Sequence, residues 1–506
     1  MKTNTLLGLL IALFLIYGNQ RTFAQAKSTV NKIRTVVTTD GEVDDMDSFI
    51  RLLLYANEFK LEGLVYSSSQ WHYKGDGKGT KFSSELEMTA KLYGERTDLR
   101  WVGTDWIQKF LDDYEKVQPN LSKHVAGYPS ASDLRKLVKV GNINFEGDMT
   151  EPTEGSNWIK NLLLDNNPQP IYLQIWGGAN TVARALKSIE EENKGKANWP
   201  EIYQKVSQKA ILYNILDQDA TYQKYIKPNW PDIRMYNNFK QFWCLAYPWP
   251  RVVPAELQPY LRGEFMYKNI IHNYGPLTAN YYSWGDGKRI AADSDHIQGA
   301  QEEMAKQKMT QYDFISEGDS PSYFQLIDVG LMNLEHPEYG GWGGRMVVSK
   351  NNPRHWEDGN DVKDFNPFTQ KDDTAFPQTR WIDALQLDFA ARAGWCVKSY
   401  ADANHAPVIS VKGGNYLKVK PGASIKLKAM ANDPDMDAVQ FKFWNYLEAG
   451  TCPDRANVVE QGKGNATVVV PSTAKKGDTI HIIVEGKDGG SPALIRYQRV
   501  ILEIQP

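Results

Sequence analysis

Three carboxylates, Asp40, Asp44 and Asp45, fall within six residues of one another in the stretch RTVVTTDGEVDDMDSF at residues 34–49. Asp40 ends a β-branched run (Thr35, Val36, Val37, Thr38, Thr39). After Asp45, apolar residues recur at helical spacing: Met46, Phe49, Ile50, Leu53 and Leu54. The pattern predicts a strand, a tight turn at Gly41 and a helix, with Asp40 at the strand's carboxyl end and Asp44 and Asp45 opening the helix. Asp is favoured at helix N-termini, where it caps backbone N–H groups and meets the helix dipole. Capping accounts for Asp44, Asp45 or Asp47, but not for Asp40. Crowded carboxylates raise one another's pKa unless a cation neutralises them. A hard divalent ion with oxygen ligands, Ca²⁺ foremost, does so. On spacing alone the cluster is either a Ca²⁺ site or a capped, solvated turn.

Later strand ends must bring the remaining groups to this turn. LEGLVYSS at 61–68 predicts a second strand, succeeded by a polar loop with Gln70, Trp71 and His72. Trp71 is either a sugar-stacking ring or a loop aromatic packed on its own domain. Residues 80–165 predict mostly helix, with 82–93 as one segment. IYLQIW at 171–176 predicts a buried strand, and Gly177-Gly178-Ala179-Asn180-Thr181 a turn into a helix. Residues 209–213 predict the next strand, with Asn214 at its end and Asp219 as the cap of another helix. Residues 228–300 are rich in Trp, Tyr, Pro and Asn, the composition of long loops that wall an active site. Glu317-Gly318-Asp319-Ser320-Pro321 is either a helix-entry turn or a ligand-bearing loop. In Gly340-Gly341-Trp342-Gly343-Gly344-Arg345, Trp342 and Arg345 are either a sugar platform with a hydroxyl or carboxylate contact, or a structural loop under a Trp lid. Residues 378–395 predict a closing amphipathic helix.

After the linker ADANHAP at 401–407 the apolar period changes to two. Short alternating strands between Gly, Pro and Asp turns predict an Ig-like β-sandwich over 405–506. The turn Asp433-Pro434-Asp435-Met436-Asp437 is either solvated or a structural Ca²⁺ site. With 506 residues the chain accommodates a large α/β domain, residues 30–400, and this smaller module. The formal charge of −3 has no basic patch behind it, which excludes a nucleic-acid partner. Lys2, an apolar run from 6 to 17 and Ala24-Gln25-Ala26 predict a signal peptide over 1–26, too short to span a membrane. The expected location is periplasmic or extracellular, with no transmembrane anchor. Three cysteines are too few for a disulfide scaffold.

The stretch Asp40-Gly41-Glu42-x-Asp44-Asp45 resembles the amino-terminal signature of nucleoside hydrolases, an Asp-x-Asp-x-Gly-x-Asp-Asp run. Thr38 stands at the first Asp and Glu42 at the Gly. Thr-Thr-Asp-Gly-Glu-x-Asp-Asp is closer to a secreted bacterial branch, nucleoside-hydrolase-like and named for cellulose binding, that carries a C-terminal Ig-like domain. Residues 176–183 align with that fold's Thr-Gly-Pro-Leu-Thr-Asn-x-Ala element, and Asp319 with the Asp of its late His-Asp pair, Gly318 replacing the His. Near Asn214, Leu212 replaces a Glu.

The resemblance implies an α/β open sheet, Rossmann-like, with helices on both faces. It also implies Ca²⁺ held by Asp40, Asp45, the Trp176 carbonyl and Asp319, with Asp40 as general base. Substrate contacts would come from Asp44, Gln70, Trp71, Asn180, Asn214, Trp342 and Arg345; the family's leaving-group acid has no match here, with His72 and His272 as the candidates from the residues themselves. The function implied is hydrolysis of a glycosidic bond in a carbohydrate or nucleoside-like small molecule. The alternative is a non-catalytic carbohydrate-binding protein on the same fold.

Overall fold

The first strand, β1 (Ile33–Thr39), is buried on both faces, and its neighbouring valines point to opposite layers. Val37 joins an apolar cluster with the helices α1 (Val43–Leu54) and α3 (Trp106–His124). Val36 joins a second cluster with α5 (Glu154–Leu164), α6 (Asn180–Asn193) and α7 (Trp199–Lys209). A near-continuous β-branched run is what a parallel strand covered on both sides requires. These observations come from a computed structural model that describes residues 32–290, 292, 304–306 and 308–506. The expected signal peptide lies outside the described residues.

The strands β2 (Phe59–Tyr66), β3 (Val138–Val140), β4 (Ile171–Ile175), β5 (Ala210–Ile215), β6 (Arg234–Asn238), β7 (Val347–Ser349) and β8 (Asn352–Glu357) complete an eight-stranded sheet. Its order is β3-β2-β1-β4-β5-β6-β8-β7. All neighbours are parallel except β7 and β8. The chain winds outward from β1 to β3, then returns beside β1 with β4 and winds the other way. Ligands bind where strand order reverses, in the crevice beyond the carboxyl ends of β1 and β4.

Local departures from the sequence expectations have identifiable causes. Only α2 (Glu87–Tyr93) of the segment 82–93 is helical. Phe82 instead pairs with Arg96 and stacks on Phe145 at 5.2 Å. The closing segment divides into a turn at Phe376–Thr379 and a helix at Ile382–Trp395. Cys244, Cys396 and Cys452 are buried and free. No described helix is long and apolar enough to cross a membrane.

The C-terminal region is a sandwich of two four-stranded sheets, β11-β13-β16-β15 and β12-β18-β17-β14. Here β11 is Val408–Val411, β12 Tyr416–Val419, β13 Ser424–Asn432, β14 Gln440–Asn445, β15 Asn457–Gly462, β16 Asn465–Val469, β17 Thr479–Lys487 and β18 Ile495–Ile504. A small ribbon, β9 (Asp364–Asn366) with β10 (Lys371–Asp373), precedes it.

Residues 401–407, expected as a linker, are packed rather than loose. The His405 ring stacks on Tyr400 at 4.0 Å and on Trp395 at 5.3 Å. Asp435 grips His405 through its backbone N–H at 2.7 Å. Tyr446, Ile483, Ile495 and Tyr497 of the sandwich belong to the same apolar core as Trp342 and Trp381. Arg499 of β18 donates to the carbonyls of Leu331, Tyr339 and Gly340.

This seam makes stability depend on pH. His481 is buried, accepts from Arg499 Nη1 at 3.0 Å, and its pKa is pushed down to about 3 by burial and then by Arg499. An unfolded histidine titrates near 6.5, so between the two values the unfolded chain holds a proton that the folded chain lacks. Stability therefore rises with pH in that window and falls on acidification, by about 2–3 kcal/mol from pH 6.5 to 4 for this one group. Urea unfolding at stepped pH should show that slope in the parent and a shallower one in His481→Gln.

Candidate functional site

Asp40 and the α1 start are fixed by the turn between them. Gly41 has φ +85, and a Cβ there would lie 2.7 Å from Val102 and 3.0 Å from Trp106. Only glycine fits both the left-handed backbone and the space. Thr39 Oγ1 donates to Asp45 Oδ1, which aims that carboxylate back at the strand end. From β4 the chain reaches the site through Gly177, where a Cβ would stand 2.8 Å from Asp40 Cγ. The glycine lets the β4 turn lie directly against the Asp40 carboxylate. Trp176, just before it, donates its N–H to the Thr38 carbonyl at 3.0 Å, and its own carbonyl accepts from Gln218 Nε2 at 2.6 Å.

The fourth carboxylate, Asp319, arrives on a loop clamped to α1. Arg51 of α1 pairs with Glu317 at 2.8 Å, both fully buried. Tyr281 and Ser320 also donate to Glu317, and Ser320 Oγ lies 3.1 Å from Ser48 Oγ of α1. At Gly318 between them a Cβ would stand 2.8 Å from Asp44 Oδ2, so any side chain there would have to displace that carboxylate. The Asp44 carboxylate thus borders the position at which the resembling family carries histidine.

Carboxylate oxygens of Asp44, Asp45 and Asp319 lie within 4.8 Å of one another. Asp40, Asp45 and Asp319 are each at most 2% exposed. Both Asp40 oxygens and Asp44 Oδ1 are buried without a hydrogen-bond partner. Burial, then Glu42 and Asp40, raises the Asp44 pKa well above the carboxylate range. Burial, then Asp40 and Asp319, raises Asp45; burial, then Asp44 and Asp40, raises Asp319. Every charge named as acting on these three is another carboxylate. Such a cluster is costly unless a cation occupies it. The donors are all oxygen, and the Trp176 carbonyl, which takes one hydrogen bond, keeps a second lone pair. The set fits a hard divalent ion of the Ca²⁺ kind.

Other expected site residues are distributed unevenly. His72 Nδ1 lies 3.8 Å from Asp40 Oδ2. Trp71 is half-buried with its ring edge-on to Tyr93 at 6.3 Å. Gln70 is tied by its side chain to Thr89 and by its N–H to Gln218. Asn214 is the last residue but one of β5, buried, with Nδ2 3.4 Å from Asn237 Oδ1.

Asn180 is a loop tie. Its amide donates to Ser68 Oγ and the Asn142 carbonyl, both at 2.9 Å, and accepts from Thr181. Trp342 is fully buried, with the Arg496 guanidinium 5.4 Å above its ring. Arg345 is bound to Asp364 at 2.7 Å. These two pack at the junction with the sandwich, in line with the structural-loop alternative. His272 is exposed, and its ring stacks on Tyr267 at 4.7 Å rather than on any residue of the cluster.

Two groups at the site were not anticipated. Arg100 Nη2 lies 3.5 Å, and the Tyr247 hydroxyl 3.2 Å, from Glu42 Oε1. The residue type at position 42 was the available signal; nothing in the sequence points to its partners.

A family model described as cellulose-binding Sde182, nucleoside hydrolase-like domain, matches residues 34–346. Another, described as cellulose-binding protein Sde0182, C-terminal domain, matches residues 424–504. The chain is similar to the solved structure of a nucleoside hydrolase-related hypothetical protein from Saccharophagus degradans described as associated with carbohydrate metabolism. The TM-score is 0.66 at 24% identity, over 94% of this chain and 100% of that one. A plant nucleoside hydrolase aligns at 10% identity with a TM-score of 0.29, over 66% of this chain and 89% of its own. No curated protein matches.

Proposed function

We propose, from the premise that this chain belongs to the cellulose-binding Sde182 family through its nucleoside-hydrolase-like domain, that it is an exported Ca²⁺-dependent hydrolase of a glycosidic bond in a glycan-derived sugar. One observation carries this reading: a buried, all-oxygen carboxylate cluster lies at the reversal of strand order, and the charges acting on it are themselves negative. Asp40, Asp45, Asp319 and the Trp176 carbonyl would hold the ion. When bound, Ca²⁺ supplies positive charge and acidifies a water in the pocket. Asp40, buried with neither oxygen hydrogen-bonded, would accept that water's proton. The water oxygen would bond to the anomeric carbon as the bond to the leaving group breaks, with inversion, and the leaving group would take its proton from solvent. Asp44, which keeps some exposure, would take a sugar hydroxyl.

A second reading rests on Gly318. Its missing side chain leaves no proton donor at the position where nucleoside hydrolases carry histidine, and that favours a carbohydrate-binding protein without turnover.

The test is hydrolysis of nitrophenyl glycosides and nucleosides, with and without chelator, by the parent and by Asp40→Asn. The expected result is chelator-sensitive turnover on at least one glycoside, lowered about 10²–10⁴-fold in the variant. Turnover on none of them would leave the binding reading.

A further inference from the structure

Glu42 opens α1, yet its side chain does not cap the helix. It turns instead toward two groups from distant loops. Oε1 accepts from the Tyr247 hydroxyl at 3.2 Å, and Arg100 Nη2 stands 3.5 Å away. Arg100 in turn donates Nη1 to the Tyr93 hydroxyl at 3.1 Å, and Tyr93 meets the half-buried Trp71. Arg100 holds φ +47, an unfavourable backbone for a residue with a side chain, and such conformations persist where the surroundings enforce them.

Glu42 stands at the partly exposed edge of the acidic cluster. Asp40, Asp45 and Asp319 are sealed, whereas Asp44 and Glu42 retain exposure. The loops carrying the partners of Glu42 pack on two glycines of the site. Val102 closes on Gly41, and Phe242 and Ala246 close on Gly318. The partly exposed Glu42 and Asp44 are thus the carboxylates of this turn open to a ligand, with Arg100 and Tyr247 held against Glu42.

A carboxylate offers about four acceptor positions on its two oxygens, and a guanidinium five donors in a fixed fork. Held side by side, they pair with a ligand edge that both donates and accepts at short intervals, as neighbouring hydroxyls of a sugar ring do. A flat aryl ring lacks that edge and leaves both groups without ligand bonds. Sites built to hydrogen-bond a hydroxyl discriminate strongly against analogues without one.

We propose that Glu42, Arg100 and Tyr247 form a recognition site for the leaving group, and that this leaving group is a hydroxyl-rich sugar ring. The proposal rests on the glycosidase reading above. The experiment compares β-1,4-linked disaccharides of glucose, xylose and mannose with the nitrophenyl glycosides of the same sugars, in the parent, Glu42→Gln and Tyr247→Phe. Thermal melts confirm that the variants fold. The expected result is that kcat/KM for the disaccharide, divided by that for the nitrophenyl glycoside, falls at least about tenfold in each variant. Equal losses on both substrates, or none on either, overturn the proposal. If the parent turns over neither class, the glycosidase reading fails on its own, and calorimetry of the same disaccharides with Ca²⁺ present decides the recognition site. Binding weakened about tenfold in Glu42→Gln supports it. Unchanged binding, or no binding by the parent, overturns it.

Discussion

Asp45→Asn is expected to move stability in opposite directions with and without Ca²⁺. In metal-free protein, Asp45 is buried against Asp40, Asp319 and Asp44. Replacing it with a neutral amide of the same shape removes that repulsion, and Oδ1 still accepts from Thr39. One pKa unit of relieved repulsion is worth about 1.4 kcal/mol, so the metal-free variant should melt above the metal-free parent. With Ca²⁺ the order reverses. An ion held at 100 times its Kd stabilises the parent by about 2.7 kcal/mol, and the variant, short of one charged ligand, loses most of that. Melting curves of both proteins in chelator and in millimolar Ca²⁺ measure all four states. A parent indifferent to Ca²⁺, together with a destabilised variant, would reduce the cluster to helix capping.

The β-branched run, the Gly41 turn and the helical spacing after Asp45 are local signals, and β1, Asp40 and α1 form where they place them. The β4 strand and its Gly177 turn were legible for the same reason. Four strands of the sheet were not. β3 and β7 have three residues each. β6 reads RMYNN, with little β propensity, and β8 begins Asn352-Pro353. Each is held by pairing with a neighbour rather than by its own composition.

The same limit explains the site. Trp342 among glycines has the residue types of a sugar platform, but a ring's surroundings are set by long-range packing, and the sandwich covers it. Conversely, Glu42 stands inside the most legible motif of the chain. Its importance lies in Arg100 and Tyr247, whose loops meet only in the folded molecule.

The junction with the sandwich carries the other large expected effect. Asp364 is fully buried and accepts from Arg345 Nε at 2.9 Å and Nη2 at 2.7 Å, from Arg380 Nη1 at 3.0 Å and from the Tyr446 hydroxyl at 2.6 Å. Arg345 and Arg380 come from the α/β region, and Tyr446 from the sandwich. Asp364→Ala leaves two buried guanidiniums without their counter-ion, a change that costs about 3–5 kcal/mol when one partner of a buried pair is removed. Lys350 and Asp361 form an ion pair with both side chains at least 80% exposed, so Asp361→Ala is the matched control and should leave stability unchanged. Because sandwich residues share an apolar core with Trp342 and Trp381, the loss should move one cooperative transition rather than release the sandwich alone. Equilibrium unfolding followed by near-ultraviolet circular dichroism and by tryptophan fluorescence tests this. Coincident, shifted transitions are expected. A separate early transition would mean that the sandwich is an independently folding bead, and that Asp364 only tethers it.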